Sequence, residues 1–130
     1  MNENRNRNDI KRGDIFYISN IASVHCEQSG DRPSVIVSND IGNAYAPIVE
    51  VVFLTTKKST LPTHVHIKSS KRPSIVLCEQ ITTVSKNRLG KRIGRVSYSE
   101  MKKIDKALAI SLEIYKENIL NEGTNQKHGY

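Results

Sequence analysis

The chain has 130 residues, of which 37% are hydrophobic, and it carries a formal net charge of +7 at pH 7. Its length fits one domain with an ordinary core, and its charge favours polyanionic partners, nucleic acid above all. No window approaches 18 consecutive apolar residues, and the N-terminus lacks an apolar signal segment, so we expect a cytoplasmic protein that does not enter a membrane.

The chain contains two cysteines, Cys26 and Cys78. Two cysteines provide neither the disulfide framework of a small secreted protein nor the four ligands of a structural zinc site. We expect both to be reduced thiols.

The first third of the chain contains two predicted strands separated by a long connection. A β-rich run at residues 15–18 follows an Arg-Gly-Asp turn, and residues 19–31 form the connection, a length typical of functional loops. The second strand, at residues 33–38, begins with Pro33. Proline holds the preceding residue extended, so Arg32 is expected at the edge of a rigid sheet, where a guanidinium can contact a phosphate or a carboxylate.

Three further strands are predicted. Residues 47–56 form a run that is apolar on both faces, and residues 64–68 alternate strictly between polar and apolar. Residues 74–84 begin with a run rich in β-branched residues. Residues 39–43 form a dense turn cluster. Residues 85–94 are strongly basic and contain two glycines, so we interpret them as a loop or a short ribbon.

The pattern changes to helical spacing after Ser97. Ser97 and Glu100 have the spacing of a capping box. The apolar residues beyond them recur every three or four positions: Met101, Ile104, Leu108, Leu112, Tyr115 and Ile119. This spacing predicts an amphipathic helix that ends before Gly123.

The fold class follows from the order of these elements. Five or six strands followed by one helix predict a mostly β protein with a C-terminal helix, built as a small curved sheet or an SH3-like barrel on which the helix packs. We expect a disordered tail at residues 1–9, a single domain at 10–120 and a frayed tail at 121–130.

Established catalytic motifs are missing from the sequence. It contains no Gly-x-Ser-x-Gly, no glycine-rich phosphate loop and no His-Glu-x-x-His. His64 and His66 share one face of a strand and could bind a metal, but no third ligand is evident nearby. We therefore interpret them as solvated strand residues.

A metal-free ribonuclease is compatible with the residues present. Such an enzyme needs a base near the ribose 2′-oxygen, a cation at the phosphoryl oxygens and hydrogen-bond donors. Glu27, Arg32, Thr55 and Thr56 can supply these groups if the sheet brings strand ends together, and His25 is an alternative base. Taken alone, this chemistry indicates only a basic β-domain that binds nucleic acid.

Several short segments resemble the MazF/PemK (Kid) family, the toxins of type II toxin–antitoxin modules. They occur in the family's order and span about residues 11–115. The segments are KRGDIFY at 11–17, EQSGDRP at 27–33, SND at 38–40 with Asn43, LPTHV at 61–65, and EQITT at 79–83 with KNRL at 86–89.

The resemblance implies a barrel of the PemK/CcdB type that forms a homodimer. It implies a sequence-specific endoribonuclease, an mRNA interferase that uses no metal and no cofactor and cuts single-stranded RNA to leave a 2′,3′-cyclic phosphate and a 5′-hydroxyl. It further implies growth arrest on expression, and a MazE-type antitoxin that wraps the dimer and blocks the RNA groove.

The resemblance also assigns roles to residues of this chain. Arg32 and Thr55 match the catalytic arginine and threonine, and Glu27 matches a proposed base. Residues that match substrate-binding positions are Cys26, Gln28, Thr56, Lys57, Leu61, Glu79 and Gln80. Of these, Glu79 and Gln80 match positions that read RNA bases through edge hydrogen bonds.

The chain departs from the family pattern near the expected site. Cys26 stands where many relatives have a serine, and a thiol is a much weaker hydrogen-bond donor than a hydroxyl. Residues 21–25 lack the expected proline and glycine, and the turn at 57–60 is short, which bears on the choice of cleavage motif.

Two other functions are compatible with this fold. CcdB toxins share it and poison gyrase without catalysis, through the C-terminal end of the helix. A catalytically weak RNA-binding relative is the other alternative, for which Cys26 is the indication. Dependence of RNA cleavage on Arg32 separates the ribonuclease from both.

Overall fold

The computed structural model describes residues 9–19 and 31–114. Within them the chain forms six strands, two α-helices and one short 3₁₀-helix. In chain order these elements are β1 (Asp14–Ile18), β2 (Arg32–Ile36), α1 (Asp40–Tyr45), β3 (Ile48–Thr55), β4 (His64–Ile67), β5 (Ser74–Ser85), the 3₁₀-helix (Lys86–Arg88), β6 (Leu89–Arg95) and α2 (Tyr98–Leu112).

The six strands form one antiparallel sheet in the order β4-β5-β3-β2-β1-β6. The prediction of a mostly β fold with a C-terminal helix is confirmed. The two edge strands nevertheless lie close together. A Cβ placed at Gly94 of β6 would lie only 3.0 Å from the carbonyl oxygen of Ser69, just after β4. No ladder joins these edges in the described ranges, so the sheet curls towards a barrel without closing.

Apolar side chains cover both faces of the sheet. On one face, residues such as Val52 and Val76 pack against Ile104 and Ala107 of α2. On the other face, Phe16, Ile36 and Val51 belong to a second buried cluster, against which Phe53 packs. A strand buried on both faces explains the continuous apolar run in β3.

Helix α2 begins as the sequence predicts. The Ser97 hydroxyl accepts a bond from the Glu100 amide (3.1 Å), and the Glu100 carboxylate accepts one from the Ser97 amide (2.9 Å), which completes the capping box. The helix ends earlier than the apolar spacing, which runs to Ile119, predicts. Glu113 takes a left-handed conformation (φ 58°), and the helix ends at Leu112. The predicted face residues Tyr115 and Ile119 lie outside the described residues.

Two segments are more regular than the sequence predicts. The turn cluster at 39–43 begins helix α1, because the Asn39 side chain accepts a bond from the Gly42 amide and caps it. Residues 89–95, which overlap the segment 85–94 predicted as a loop or a short ribbon, form edge strand β6, which pairs with β1 through an irregular register.

A buried carboxylate explains why β6 forms despite its glycines and charges. Asp14 of β1 is fully buried, and its side chain accepts bonds from Arg95 (2.7 Å), Arg92 (3.2 Å) and the Lys11 amide (2.9 Å). The aliphatic and charged parts of these arginines thus hold β6 against β1. A contact between residues so far apart in sequence leaves no periodic signal.

The Cys78 thiol is free and buried in the core beneath α2. Burial, with a smaller effect of the Glu79 charge, raises the pKa of this thiol to about 12. Cys26 lies outside the described residues. Neither of the described helices is long and apolar enough to cross a membrane.

Candidate nucleic-acid and catalytic site

Arg32 and Thr55 lie at the same level on neighbouring strands. In the ladder between β2 and β3, Ser34 is paired with Phe53. Two residues farther along the same antiparallel register, Arg32 comes opposite Thr55. Side chains of opposed residues project from the same face of a sheet, so Arg32 and Thr55 project from one face at the same end of these strands. β2 begins at Arg32 itself, one residue before the predicted Pro33.

The guanidinium of Arg32 lies over an aromatic ring. Its central carbon is 4.2 Å from the centroid of the Phe53 ring, and Arg32 is exposed. Attraction between the cation and the ring face holds the guanidinium at this place, and its N–H groups remain available for a ligand in the described ranges. Phe53 in turn packs on the buried cluster below it. The pair therefore presents a fixed cation at the surface of the sheet.

Thr55 ends β3 with its hydroxyl already oriented. The hydroxyl oxygen accepts a hydrogen bond from the Lys57 amide (3.1 Å), in a turn that redirects the chain after the strand. Since a hydroxyl has one donor and two acceptor sites, its hydrogen stays free to donate. Thr56 and Lys57 follow directly and are exposed.

A large bulge in β5 places Glu79 and Gln80. Val52 pairs with Ile81, whereas Leu54 pairs with Val76, so residues 77–80 of β5 oppose Phe53 alone. A bulge bends its strand and changes the direction of its side chains. Both Glu79 and Gln80 are exposed at this bend.

The Glu79 carboxylate is held by two side chains that precede and begin β4. One oxygen accepts a bond from the Thr63 hydroxyl (2.7 Å), and the other lies 3.0 Å from Nε2 of His64. Partial burial acts to raise the pKa of Glu79, but these two hydrogen bonds, together with a backbone hydrogen bond and the nearby His64 charge, outweigh it and lower the pKa below its ordinary value. The carboxylate is therefore charged at neutral pH.

These groups lie on one face of four adjacent strands. Thr55 opposes Ile75 of β5, and Ile75 opposes His66 of β4, so His66 and its alternate neighbour His64 project from the same face as Thr55. We call this the site face: the side of β2, β3, β5 and β4 that carries Arg32, Thr55, Glu79 and His64. It combines a cation and a hydroxyl at one end with a fixed carboxylate at the other.

The remaining candidate residues fall into two groups. Leu61 is exposed in the segment before β4, where its carbonyl accepts a bond from the His64 amide. Cys26, Gln28, the candidate base Glu27 and its alternative His25 all lie outside the described residues.

The prediction for the two histidines is half wrong. His66 is exposed, as expected, but the His64 side chain is only 3% exposed and is bound to Glu79 rather than solvated. In the described ranges, no group of three or more His, Cys, Asp or Glu side chains is arranged to hold a metal ion.

Phe53 and His64 are the site residues that sequence reasoning missed. An aromatic at the end of an apolar strand is indistinguishable from a core residue by periodicity alone. The contact of His64 with Glu79 arises from the β4–β5 pairing and the bulge, neither of which leaves a local pattern.

Comparison with known proteins places this arrangement in a family. Residues 11–112 match the family described as PemK-like, MazF-like toxin of type II toxin–antitoxin system. The chain is 40% identical over 111 residues to Endoribonuclease EndoA of Bacillus subtilis (81% of this chain, 96% of that protein). It is 41% identical over 113 residues to Endoribonuclease MazF of Staphylococcus saprophyticus (82% of this chain, 93% of that protein).

A solved structure agrees with the sequence matches. An endoribonuclease in complex with its cognate antitoxin, from a mycobacterial species, superposes with a TM-score of 0.71 at 32% identity, covering 82% of this chain and 97% of that one. The family match spans β1 to the end of α2, and therefore includes Arg32, Thr55 and Glu79. The chain belongs to the family of PemK-like, MazF-like toxins of type II toxin–antitoxin systems.

Proposed function

We propose that this chain, an endoribonuclease of the MazF-like toxin family, cuts single-stranded RNA at a short sequence motif and needs no metal ion or other cofactor to do so. The observation that carries the proposal is the placement of Arg32, stacked on Phe53, at the level of Thr55. About 40% identity to two relatives named as endoribonucleases supports the same reading.

The reaction uses a nucleophile supplied by the RNA. The ribose 2′-oxygen bonds to the adjacent phosphorus while its proton passes to a base, for which Glu27 is the candidate. The bond from phosphorus to the 5′-oxygen of the next nucleotide breaks, and that oxygen takes up a proton from the solvent. The products are a 2′,3′-cyclic phosphate and a 5′-hydroxyl.

Arg32 and Thr55 stabilise the charge that develops during this step. The planar fork of Arg32 donates to the phosphoryl oxygens, whose negative charge grows in the transition state. The free hydrogen of the Thr55 hydroxyl donates to the same oxygens. Because both groups are held before substrate arrives, neither has to reorganise during the reaction.

Substrate recognition extends from this point along the site face. Glu79 and Gln80 hydrogen-bond to the edges of unstacked bases, the way in which single-stranded RNA is read. Thr56, Lys57 and Leu61 border the path, and Cys26 and Gln28 are further candidates for contact with the RNA. The net charge of +7 strengthens binding to the RNA backbone.

Membership of the family supports a proposal for the partners and for the extent of the domain. We assign the toxin domain to residues 10–120, a homodimer as the active form, a MazE-type antitoxin as inhibitor and the cytoplasm, where mRNA is present, as the site of action. A cognate antitoxin bound to the mycobacterial relative supports the assignment of an antitoxin partner.

The test is incubation of the purified protein with a long unstructured RNA in EDTA, followed by mapping of the new 5′ ends. We expect discrete cuts at one recurring motif for wild type, and for the control Arg72→Ala, which removes an exposed arginine from the turn before β5. Arg32→Ala and Thr55→Ala should give no cuts while staying folded. Intact RNA with the wild-type protein, or cuts that require a divalent metal, would contradict the proposal.

A further inference from the structure

Thr63, His64 and Glu79 form a hydrogen-bonded cluster. The cleavage reaction proposed above assigns no role to Thr63 or His64. The Thr63 hydroxyl and His64 Nε2 lie 2.7 Å and 3.0 Å from separate oxygens of the Glu79 carboxylate. The His64 side chain is 3% exposed, whereas that of Glu79 is 35% exposed. The cluster therefore has an inner side, where the His64 ring is buried, and an outer side, where the Glu79 carboxylate is exposed.

The backbone holds these residues in place independently of their side chains. The Cys78 amide donates to the Thr63 carbonyl (3.0 Å), and the His64 amide donates to the Leu61 carbonyl (2.9 Å). His64 is also paired with Leu77 across the β4–β5 ladder. His64 consequently approaches Glu79 from edge strand β4, and Thr63 approaches it from the residue before that strand, which the bond from Cys78 ties to β5.

The imidazole of His64 has only one polar contact in the described part of the chain. A carboxylate can only accept hydrogen bonds, so Nε2 must carry the proton that it shares with Glu79. The other ring nitrogen, Nδ1, is buried and meets no hydrogen-bond partner there. The hydrogen bond to Glu79 is therefore the one polar interaction of this buried ring among the described residues. Its structural effect is to orient the Glu79 carboxylate.

The oriented carboxylate selects what can bind to its outer side. Its inner lone pairs are occupied, and the outer ones accept but cannot donate. A base whose edge carries an amino group, as in adenine, cytosine and guanine, satisfies them. Uracil offers one N–H flanked by two carbonyl oxygens, which the negative charge repels.

We infer that His64 and Thr63 are positioning residues that fix Glu79 as an acceptor for an amino-bearing RNA base, and that His64 thereby sets the fidelity of the cleavage motif without touching RNA. This inference rests on the proposed ribonuclease function. It assigns His64 to specificity, whereas Arg32 and Thr55 act on the phosphate.

The experiment compares four variants of the full chain on a random-sequence RNA pool with mapped 5′ ends. His64→Leu and Thr63→Val remove one donor each, His64→Gln keeps a side-chain N–H, and His66→Leu is the matched control on the exposed neighbour. For His64→Leu we expect about a tenfold loss of discrimination against uracil at one motif position, with the other positions unchanged. Thr63→Val should shift the same position, His64→Gln should restore much of the preference, and His66→Leu should match wild type.

A second measurement keeps the test decisive if His64→Leu folds poorly. Glu79→Gln should itself lose the preference against uracil, and adding Thr63→Val to Glu79→Gln should change nothing further, because the two act through one group. Additive effects in this pair, or a wild-type cleavage motif in folded His64→Leu, would overturn the inference.

The outcomes also separate this inference from the proposed function. If wild type cuts RNA in an Arg32-dependent way but the His64 and Thr63 variants keep the wild-type motif, only the positioning role fails. If wild type cuts no RNA, the ribonuclease proposal fails first.

Discussion

Asp14 and Arg32 show two opposite ways in which this small sheet uses charge. Asp14 is fully buried, and two arginines and a backbone amide surround its carboxylate. Arg32 is exposed and lies over the Phe53 ring, and in the described ranges no carboxylate lies within salt-bridge distance of it. The first charge is neutralised within the fold, and the second is oriented without being neutralised.

The difference explains which charges can act on a ligand. A carboxylate partner would occupy the N–H donors of the guanidinium that a phosphate requires. An aromatic ring contacts only the face of the guanidinium and leaves those donors free. Glu79 lies between these extremes, since Thr63 and His64 satisfy its inner side and leave its outer side exposed. We therefore expect substitutions at Asp14 to alter stability and substitutions at Arg32 to alter activity.

Asp14→Ala should cause the largest change in stability. It removes a buried partner of Arg92 and Arg95 and leaves the Lys11 amide unsatisfied, at a cost of about 3 kcal/mol in the free energy of unfolding. Urea unfolding monitored by circular dichroism measures this cost. The rate of RNA cleavage per folded molecule should not change, and a loss below about 1 kcal/mol would contradict a structural role for this cluster.

Glu100→Gln should have a smaller, pH-dependent effect. Partial burial acts to raise the pKa of Glu100, but bonds from Ser69, the Lys68 amide and the Ser97 amide outweigh it and lower the pKa from 4.5. A carboxyl group whose pKa is lower in the folded state than in the unfolded state stabilises the fold at pH values above its unfolded-state pKa. This contribution is lost as the pH falls through the folded-state pKa.

The variant should therefore lose about 1 kcal/mol at pH 7, and the gap to wild type should narrow below pH 4.5. Urea midpoints from pH 7 to pH 3 measure this gap. A gap that is constant over this range would show that the charge of Glu100 does not stabilise the start of α2.

Phe53→Leu should have an effect of similar size, but on the rate of cleavage, and it tests the aromatic support directly. Leucine keeps apolar contact with the buried cluster but removes the ring under Arg32, so we expect cleavage to fall about fivefold, equivalent to about 1 kcal/mol. Phe53→Tyr is the control, because it keeps the ring and should cleave at a rate near that of wild type. Equal rates for the leucine and tyrosine variants would mean that stacking does not orient Arg32.

The features that the sequence predicts correctly depend on residues that are close together in the chain. The capping box of Ser97 and Glu100, the alternation in β4 and the apolar run of β3 all reflect local spacing, and the structure contains each of them. The position of Arg32 at the start of a strand follows likewise from Pro33. Local chemistry therefore accounts for most of the elements and for one site residue.

The features that the sequence does not predict depend on contacts between distant residues. β6 has no alternation, and pairing with β1 around Asp14 makes it a strand. The bulge at residues 77–80 follows from the β3–β5 register, and it brings Glu79 to His64, which periodicity alone places in solvent. The end of α2 at Leu112 depends on a left-handed Glu113, a residue type with no preference for that conformation.

The most direct test of the account is single-turnover cleavage of one motif-bearing RNA in EDTA by wild type, Arg32→Ala and Arg72→Ala, with the product ends identified by mass spectrometry. We predict a 2′,3′-cyclic phosphate end for wild type and for Arg72→Ala, and a rate at least about 100-fold lower for Arg32→Ala at unchanged thermal stability. Cleavage by Arg32→Ala at a rate near that of wild type would contradict the assignment of Arg32 as the group that stabilises the phosphate.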